Sequence, residues 1–255
     1  MSPALVGRVD LVGGGPGPAD LMTVRAYRLL MAADVVIADR LGPFEELRHE
    51  LPSHVEVIDV GKRPGHHPVP QQEINELLVH HAKAGRRVVR LKGGDPFVLG
   101  RGGEEVLACE AAGVPVSVTP GISSAISVPQ AAGIPVTHRG VASAVHVVNG
   151  HGDLSDSALA SLADPATTTV VLMGVSSIGR IAETAMRRGV CGDLPVAIVE
   201  NGHTERQRTI RSSLATVVTD AAAAAVTNPA VIVIGEVGRA GLLLPTPEMI
   251  AESVT

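Results

Sequence analysis

Two α/β domains are the fold this sequence predicts, and three observations predict it. Short β-branched runs alternate with helix-like stretches over the first 119 residues, the pattern of a mainly parallel sheet. Of the 255 residues 45% are hydrophobic, ample for a core and against disorder. Pro120-Gly121 then breaks the alternation, and the strand-like segments beyond it change character. Domains are therefore expected at 1–119 and 120–244, with residues 245–255 as a loose tail. A linker near Thr119 to Gly121 would leave a cleft between two lobes, a common place for small molecules.

Arg8 to Gly14 has the apolar run of a buried opening strand, followed by the loop Gly13-Gly14-Gly15-Pro16-Gly17-Pro18. Asp20 is placed to cap a helix whose apolar face is Leu21, Val24, Ala26, Leu29 and Leu30. Strand Val35 to Ile37 closes this βαβ unit. A short helix near Pro43 to Glu50, an alternating strand Val55 to Val60 and a helix Gln71 to Ala84 follow. Ile74, Leu77, Leu78 and Ala82 share one face of that helix, and Gly85 stops it. Arg87 to Leu91 and Val114 to Val118 complete five strands, with a helix from near Gly102 between them. Beyond Pro120, strands are expected at Ala144 to Val148, Thr168 to Met173, Val196 to Glu200, Thr209 to Arg211 and Ala230 to Gly235. Helices are expected near Ile122 to Ala131, Asp156 to Ala163, Ser176 to Arg188 and Leu214 to Ala225. No internal repeat stands out.

Composition excludes several functions. Aromatic residues make up 1% (Tyr27, Phe44 and Phe97), so no row of stacking platforms serves single-stranded nucleic acid. A net charge of -5 gives no general attraction to polyanions. Cys109 and Cys191 fit no CxxC pattern and suit reduced thiols in a cytoplasmic setting. No apolar window of about 18 residues spans a membrane, and no signal-peptide pattern opens the chain. The histidine pairs His66-His67 and His80-His81 point apart, and no HExxH or Cys/His cluster appears, so no metal is expected. The first glycine loop fails GxGxxG because Pro18 stands where the last glycine is required, and no GxxxxGK[ST] occurs.

The stretch most suited to a ligand is Arg90 to Glu105, RLKGGDPFVLGRGGEE. Gly93, Gly94, Gly102 and Gly103 allow close backbone approach, while Asp95, Arg101, Glu104 and Glu105 bring charge. A glycine-rich loop between strand and helix is where open α/β sheets bind ligands; a charged surface turn is the plainer alternative.

Taken with VGGGPGPADLMT (12–23), ADRL (38–41), GKRPGHHPVPQQEIN (61–75), TPGISSA (119–125), AGIPVTHR (132–139), VVLMGV (170–175) and VENGHTERQR (199–208), this stretch resembles the uroporphyrinogen-III C-methyltransferases of the tetrapyrrole methylase group. Order and spacing match from Val12 to Glu236. The resemblance implies the tetrapyrrole methylase fold, class III among S-adenosylmethionine (SAM) methyltransferases and not Rossmann-like. It also implies methylation of uroporphyrinogen III at C2 and C7 to precorrin-2, the branch point to sirohaem and cobalamin, with S-adenosylhomocysteine as by-product. Homodimers and the stand-alone form of the enzyme are implied as well. The alternatives are a related methylase, acting on a later precorrin or, as in the diphthamide branch, on a protein residue, and a non-catalytic SAM or tetrapyrrole binding protein.

By the same resemblance, SAM contacts fall on Pro16, Gly93, Gly94, Asp95, Val98, Ser123, Ser124, Met173 and Gly202. A proton acceptor falls on Asp39 and a donor on Lys62. Lys62, Arg63, Arg101 and Arg139 provide cations for the substrate carboxylates; Glu104, three residues after Arg101, is also expected at the substrate, either orienting the Arg101 fork or contacting pyrrole N–H groups. Each has a duller reading: Pro16 fixing a loop, Met173 in a core, Ser123-Ser124 opening a helix, and Asp39-Arg40 a cap with a surface ion pair. The chain departs from the family at Ala38, where a Tyr is usual, at Gly140-Val141, where Asp-Tyr is common, and at Ser123-Ser124, where Thr-Ala is commoner.

Overall fold

Strand β1 (Arg8–Gly13) is buried on both faces beyond its first residue, as a strand must be when helices cover both sides of a parallel sheet. In the computed structural model, which describes residues 7–39, 42–61 and 69–243, the chain divides into two compact units between Ser124 and Ala125.

The first unit joins β1 to β2 (Val35–Ala38), β3 (Glu56–Asp59), β4 (Arg87–Lys92) and β5 (Val116–Thr119) in the order β3-β2-β4-β1-β5. Every pairing is parallel. Alternate side chains serve the two faces. Val9, Leu11, Val35, Ile37 and Val88 pack with Ile74, Leu78 and Ala82 of α3 (Gln71–Lys83) and Cys109 of α4 (Gly102–Ala111). Val12, Val36, Val89 and Leu91 pack with Ala26 and Leu30 of α1 (Val24–Met31) and Phe44 and Leu47 of α2 (Phe44–Leu47). Truncating one fully buried leucine in such layers costs roughly 2–5 kcal/mol.

The second unit has a mixed sheet in the order β6 (Ala144–Asn149), β7 (Thr167–Leu172), β10 (Ala230–Ile234), β8 (Pro195–Glu200), β9 (Arg208–Ser213). Only β6 and β7 are parallel; β10 runs against β7 and β8, and β9 against β8. One face carries α6 (Asp156–Ala163), α7 (Ile178–Arg187) and α8 (Val217–Ala223) through Leu159, Ile181, Ala185 and Val217. Helix α5 (Ser124–Ala131) starts at the division between the units.

Local differences from the sequence expectations have local causes. Asp20 lies in a short 3-10 turn, Ala19–Leu21, and makes no cap; Thr23 caps α1 by accepting from the Ala26 N–H at 3.1 Å. His80 and His81 do not point apart but meet edge to face, with ring centroids 5.2 Å apart, and His81 is buried against the sheet. Residues 244–255, with Pro245 and Pro247, lie outside the described residues. Among those described, no helix is long and apolar enough to cross a membrane, and no group of three His, Cys, Asp or Glu is arranged to hold a metal.

Two measurements check these assignments. Thr23→Ala should lower stability by about 1 kcal/mol in a denaturant titration, with Asp20→Ala near neutral. Burial pushes the Cys109 thiol up to about 11, so at pH 8 an aromatic disulfide reagent should titrate only the exposed Cys191 in native protein, and both thiols after denaturation.

Candidate active site

In the first sheet the chain moves from β1 towards β2 on one side and from β4 across to β5 on the other. The strand order reverses between β1 and β4, and ligands of open α/β sheets bind at the carboxyl ends beside such a reversal. Three loops leave the sheet there, after β1, β4 and β5.

Their backbones touch. Gly15 and Gly94 form an isolated antiparallel bridge, with Gly94 N–H donating to the Gly15 carbonyl at 2.7 Å and Gly15 N–H to the Gly94 carbonyl at 3.2 Å. A Cβ on Gly13 would lie 2.4 Å from the Gly121 nitrogen, and one on Gly121 2.2 Å from the Gly94 oxygen. Only hydrogen fits at these positions, because real Cβ atoms do not approach backbone below about 3 Å. Asp95 ties the same loops: Oδ1 accepts from the Phe97 N–H at 2.8 Å and Oδ2 from the Gly121 N–H at 3.1 Å. Each carboxylate oxygen keeps a further lone pair for a ligand.

The fold thus gathers most of the SAM residues implied by the resemblance. Pro16 follows the Gly15 bridge, and Gly93, Gly94 and Asp95 form the turn after β4. The Val98 N–H donates to the Asp95 carbonyl at 3.3 Å. The Ser124 nitrogen and Ser123 Cα stand 3.7 and 3.9 Å from the Cβ position of Gly94. Met173 and Gly202 belong to the second unit, at the carboxyl ends of β7 and β8. Met173 is 37% exposed, outside the core, and Gly202 lies against Val128, where a Cβ would be 2.6 Å from a methyl carbon.

Backbone strain concentrates in these loops. Leu99, Arg101, Met173, Asn201 and His203 have φ between 48° and 65°, and Ala225 is the one other non-glycine residue with positive φ among those described. Such conformations cost about 1–3 kcal/mol each and persist where surrounding structure over-determines them. Here Gly102 N–H donates to the Pro96 carbonyl at 3.0 Å, and the His203 ring nitrogen Nε2 lies 2.8 Å from the Ser127 carbonyl. Asn201 and His203 are of types that enter this region more readily than others, whereas nothing in the residue types of Leu99, Arg101 and Met173 signals it.

Arg101, presented at φ 60° before α4, holds Glu104 by two bonds, Nε to Oε1 at 2.8 Å and Nη2 to Oε2 at 2.7 Å. That fork keeps the Glu104 carboxyl below its usual range. Both are over half exposed, so water weakens the pair. Arg139 is exposed. Asp39 follows β2 and accepts from the Gly93 N–H at 3.2 and 3.4 Å. Lys62 and Arg63 lie outside the described residues.

Sequence reading missed the polar layer beneath the loop. Arg90 and Lys92 sit on the α3–α4 face of β4, buried with Glu105 of α4. Burial pulls the Lys92 ammonium below the usual lysine range, opposed by Glu105 at 3.0 Å. Charges at alternate positions of a strand with no solvent face were the available signal.

The family model for tetrapyrrole (corrin/porphyrin) methylases matches residues 8–218. The chain belongs to this family. Within it, the chain is 46% identical to the S-adenosyl-L-methionine-dependent uroporphyrinogen III methyltransferase of Methanosarcina barkeri, over 91% of this chain and 92% of that protein. It is 44% identical to the uroporphyrinogen-III C-methyltransferase of Paracoccus denitrificans, over 91% and 82%. Siroheme synthases also match, and the chain spans about half their length, 50% for that of Edwardsiella ictaluri. Among tetrapyrrole methylases of known structure, a Thermus thermophilus uroporphyrin-III C-methyl transferase complexed with S-adenyl homocysteine superposes with a TM-score of 0.78 at 40% identity, covering 94% of this chain and 97% of that one.

Gly121→Ala should destabilise the first unit by about 1–3 kcal/mol, since backbone on two sides must move. Gly103→Ala, whose Cβ meets nothing within 4 Å, should change stability by no more than about 0.5–1 kcal/mol, towards greater stability. Denaturant midpoints of the two variants separate close backbone packing at Gly121 from the helix propensity of Gly103 in the first turn of α4.

Proposed function

We propose that this protein is a SAM-dependent C-methyltransferase that converts uroporphyrinogen III to precorrin-2 by methylation at C2 and C7. One observation carries the proposal: the glycine junction at the strand-order reversal sets Gly93, Gly94 and Asp95 beside Ser123 and Ser124, in a chain whose relatives by this name match nearly end to end.

The residues suit the donor. Glycine backbone admits close approach by the adenosine and amino-acid parts of SAM, and Asp95 retains acceptor capacity for its amine or hydroxyl groups. We assign donor contacts to Pro16, Gly93, Gly94, Asp95, Val98, Ser123 and Ser124, with Met173 offering polarizable apolar surface and Gly202 backbone. When bound, SAM supplies an electrophilic methyl group on a sulfonium. The protein's task is then orientation, which is worth several kcal/mol of barrier when reacting atoms are aligned. C2 and C7 already bear side chains and carry no hydrogen, so the positive charge left on the ring by methyl transfer is relieved by loss of a proton from elsewhere on the macrocycle; Asp39 is assigned to accept that proton, and Lys62 is assigned as the proton donor. The substrate carries eight carboxylates; Lys62, Arg63, Arg101 and Arg139 are assigned to them, Arg101 with its fork set by Glu104. We place the activity in the cytoplasm and in a homodimer, to which the exposed apolar side chains Phe97 and Leu107, 61% and 67% accessible, lend support.

Incubating the purified protein anaerobically with SAM and uroporphyrinogen III should add two methyl groups by mass. Retained SAM binding without transfer would instead mark a binding protein. Asp95→Ala should weaken SAM binding at least about tenfold, and a wild-type Kd would remove the loop assignment. Arg101→Ala and Arg139→Ala should each raise the uroporphyrinogen KM by about tenfold; an unchanged KM in both would discard the carboxylate clamp.

A further inference from the structure

Directly beneath the glycine loop, Arg90, Lys92 and Glu105 are 4%, 3% and 0% exposed. Withdrawing such ions from water costs several kcal/mol each before pairing, and packed apolar side chains of similar volume often do as well or better. A purely structural layer could therefore have been aliphatic, like most of this face.

The contacts of Arg90 give the cluster a direction. Its Nε donates to Glu105 Oε1 at 3.0 Å. Its Nη1 donates to the carbonyls of Leu91 at 2.8 Å and Ile37 at 3.3 Å, one on β4 and one on β2. Its Nη2 lies 3.7 Å from Asp39 Oδ2. Glu105 Oε1 is in turn fixed by Lys92 Nζ at 3.0 Å and Gln71 Nε2 at 3.2 Å. The Asp39 carboxylate thus lies between the Arg90 guanidinium and the Gly93 N–H that begins the donor turn. A planar fork with five donors can serve a carboxylate, two carbonyls and a second carboxylate at once, which an ammonium cannot.

We propose that Arg90, oriented by Glu105, is a positioning residue that sets the Asp39 carboxylate against the Gly93–Asp95 turn, so that proton acceptor and methyl donor share one rigid reference. The inference rests on the reading of Asp39 as proton acceptor. Arg90 touches neither donor nor macrocycle in this scheme; it acts through Asp39, and its loss appears in turnover and not in SAM affinity.

A double-mutant cycle tests this with the full-length protein, using Asp39→Asn, Arg90→Lys and both together. Turnover, KM for SAM and the thermal midpoint are measured for each. Asp39→Asn should lower kcat by about a hundredfold. Arg90→Lys keeps the buried positive charge but loses the fork; it should lower kcat about tenfold with KM for SAM within about twofold. In the Asp39→Asn background, Arg90→Lys should lower kcat no further, because its effect passes through a group already removed. Equal losses in both backgrounds, or unchanged kcat in a folded Arg90→Lys protein, would overturn the proposal while leaving Asp39 in its role. Wild-type turnover by Asp39→Asn would remove the proton-acceptor reading first and this inference with it. If Arg90→Lys fails to fold, Glu105→Gln takes its place in the cycle with the same expectations.

Discussion

The first unit depends on a contact that only hydrogen atoms permit. The loops after β1, β4 and β5 meet backbone to backbone at Gly13, Gly94 and Gly121, at separations that leave no room for a Cβ on Gly13 or Gly121. The parallel sheet brings the strand ends to one edge, and absent side chains let the loops close over it. Asp95 then fastens the β4 loop to the β5 loop through two backbone N–H groups. Glycine in these places gives up conformational entropy in the unfolded chain, offset by the bridge between Gly15 and Gly94 and by a surface onto which a ligand can fit closely.

Below that surface lies a cluster of buried charge. With two phenylalanines, one tyrosine and no tryptophan, both units are filled mainly by Val, Leu, Ile and Ala, and the two charged residues on β4 stand out against them. Glu105 pairs with both Arg90 and Lys92, and Asp39 at the end of β2 supplies the second carboxylate that balances the two cations. The cluster links three elements, β2, β4 and α4, at the point where the first unit's proposed chemistry begins. Strain tells a similar story: five of the six positive-φ residues other than glycine, among those described, cluster after β4, β7 and β8, where neighbouring loops hold them in place.

Much of this was legible in residue order. Alternation of strand-like runs with helix patterns located all ten strands within a few residues: the central strands are buried on both faces and largely apolar, while the half-exposed β3 shows an alternating pattern. The helix Asp156–Ala163 fell where Ser155, a side-chain cap, precedes an apolar face. Less legible were choices between equivalent local signals. Asp20 and Thr23 are both sound caps, and the 3-10 turn at Ala19–Leu21 decided for Thr23. His81 turned inward because its face of α3 meets the sheet, which the polarity of histidine does not announce.

The sequence by itself determined the α/β class, the strand and helix positions, the glycine-rich loops and the family, since each follows from local periodicity or from motifs in fixed order. Tertiary structure alone decided which loops touch, that the second sheet is mixed, and that Arg90, Lys92 and Glu105 are buried together behind Asp39. Those are contacts between residues distant along the chain, and their energies depend on distance and exclusion of water, quantities that exist only after the strands have paired.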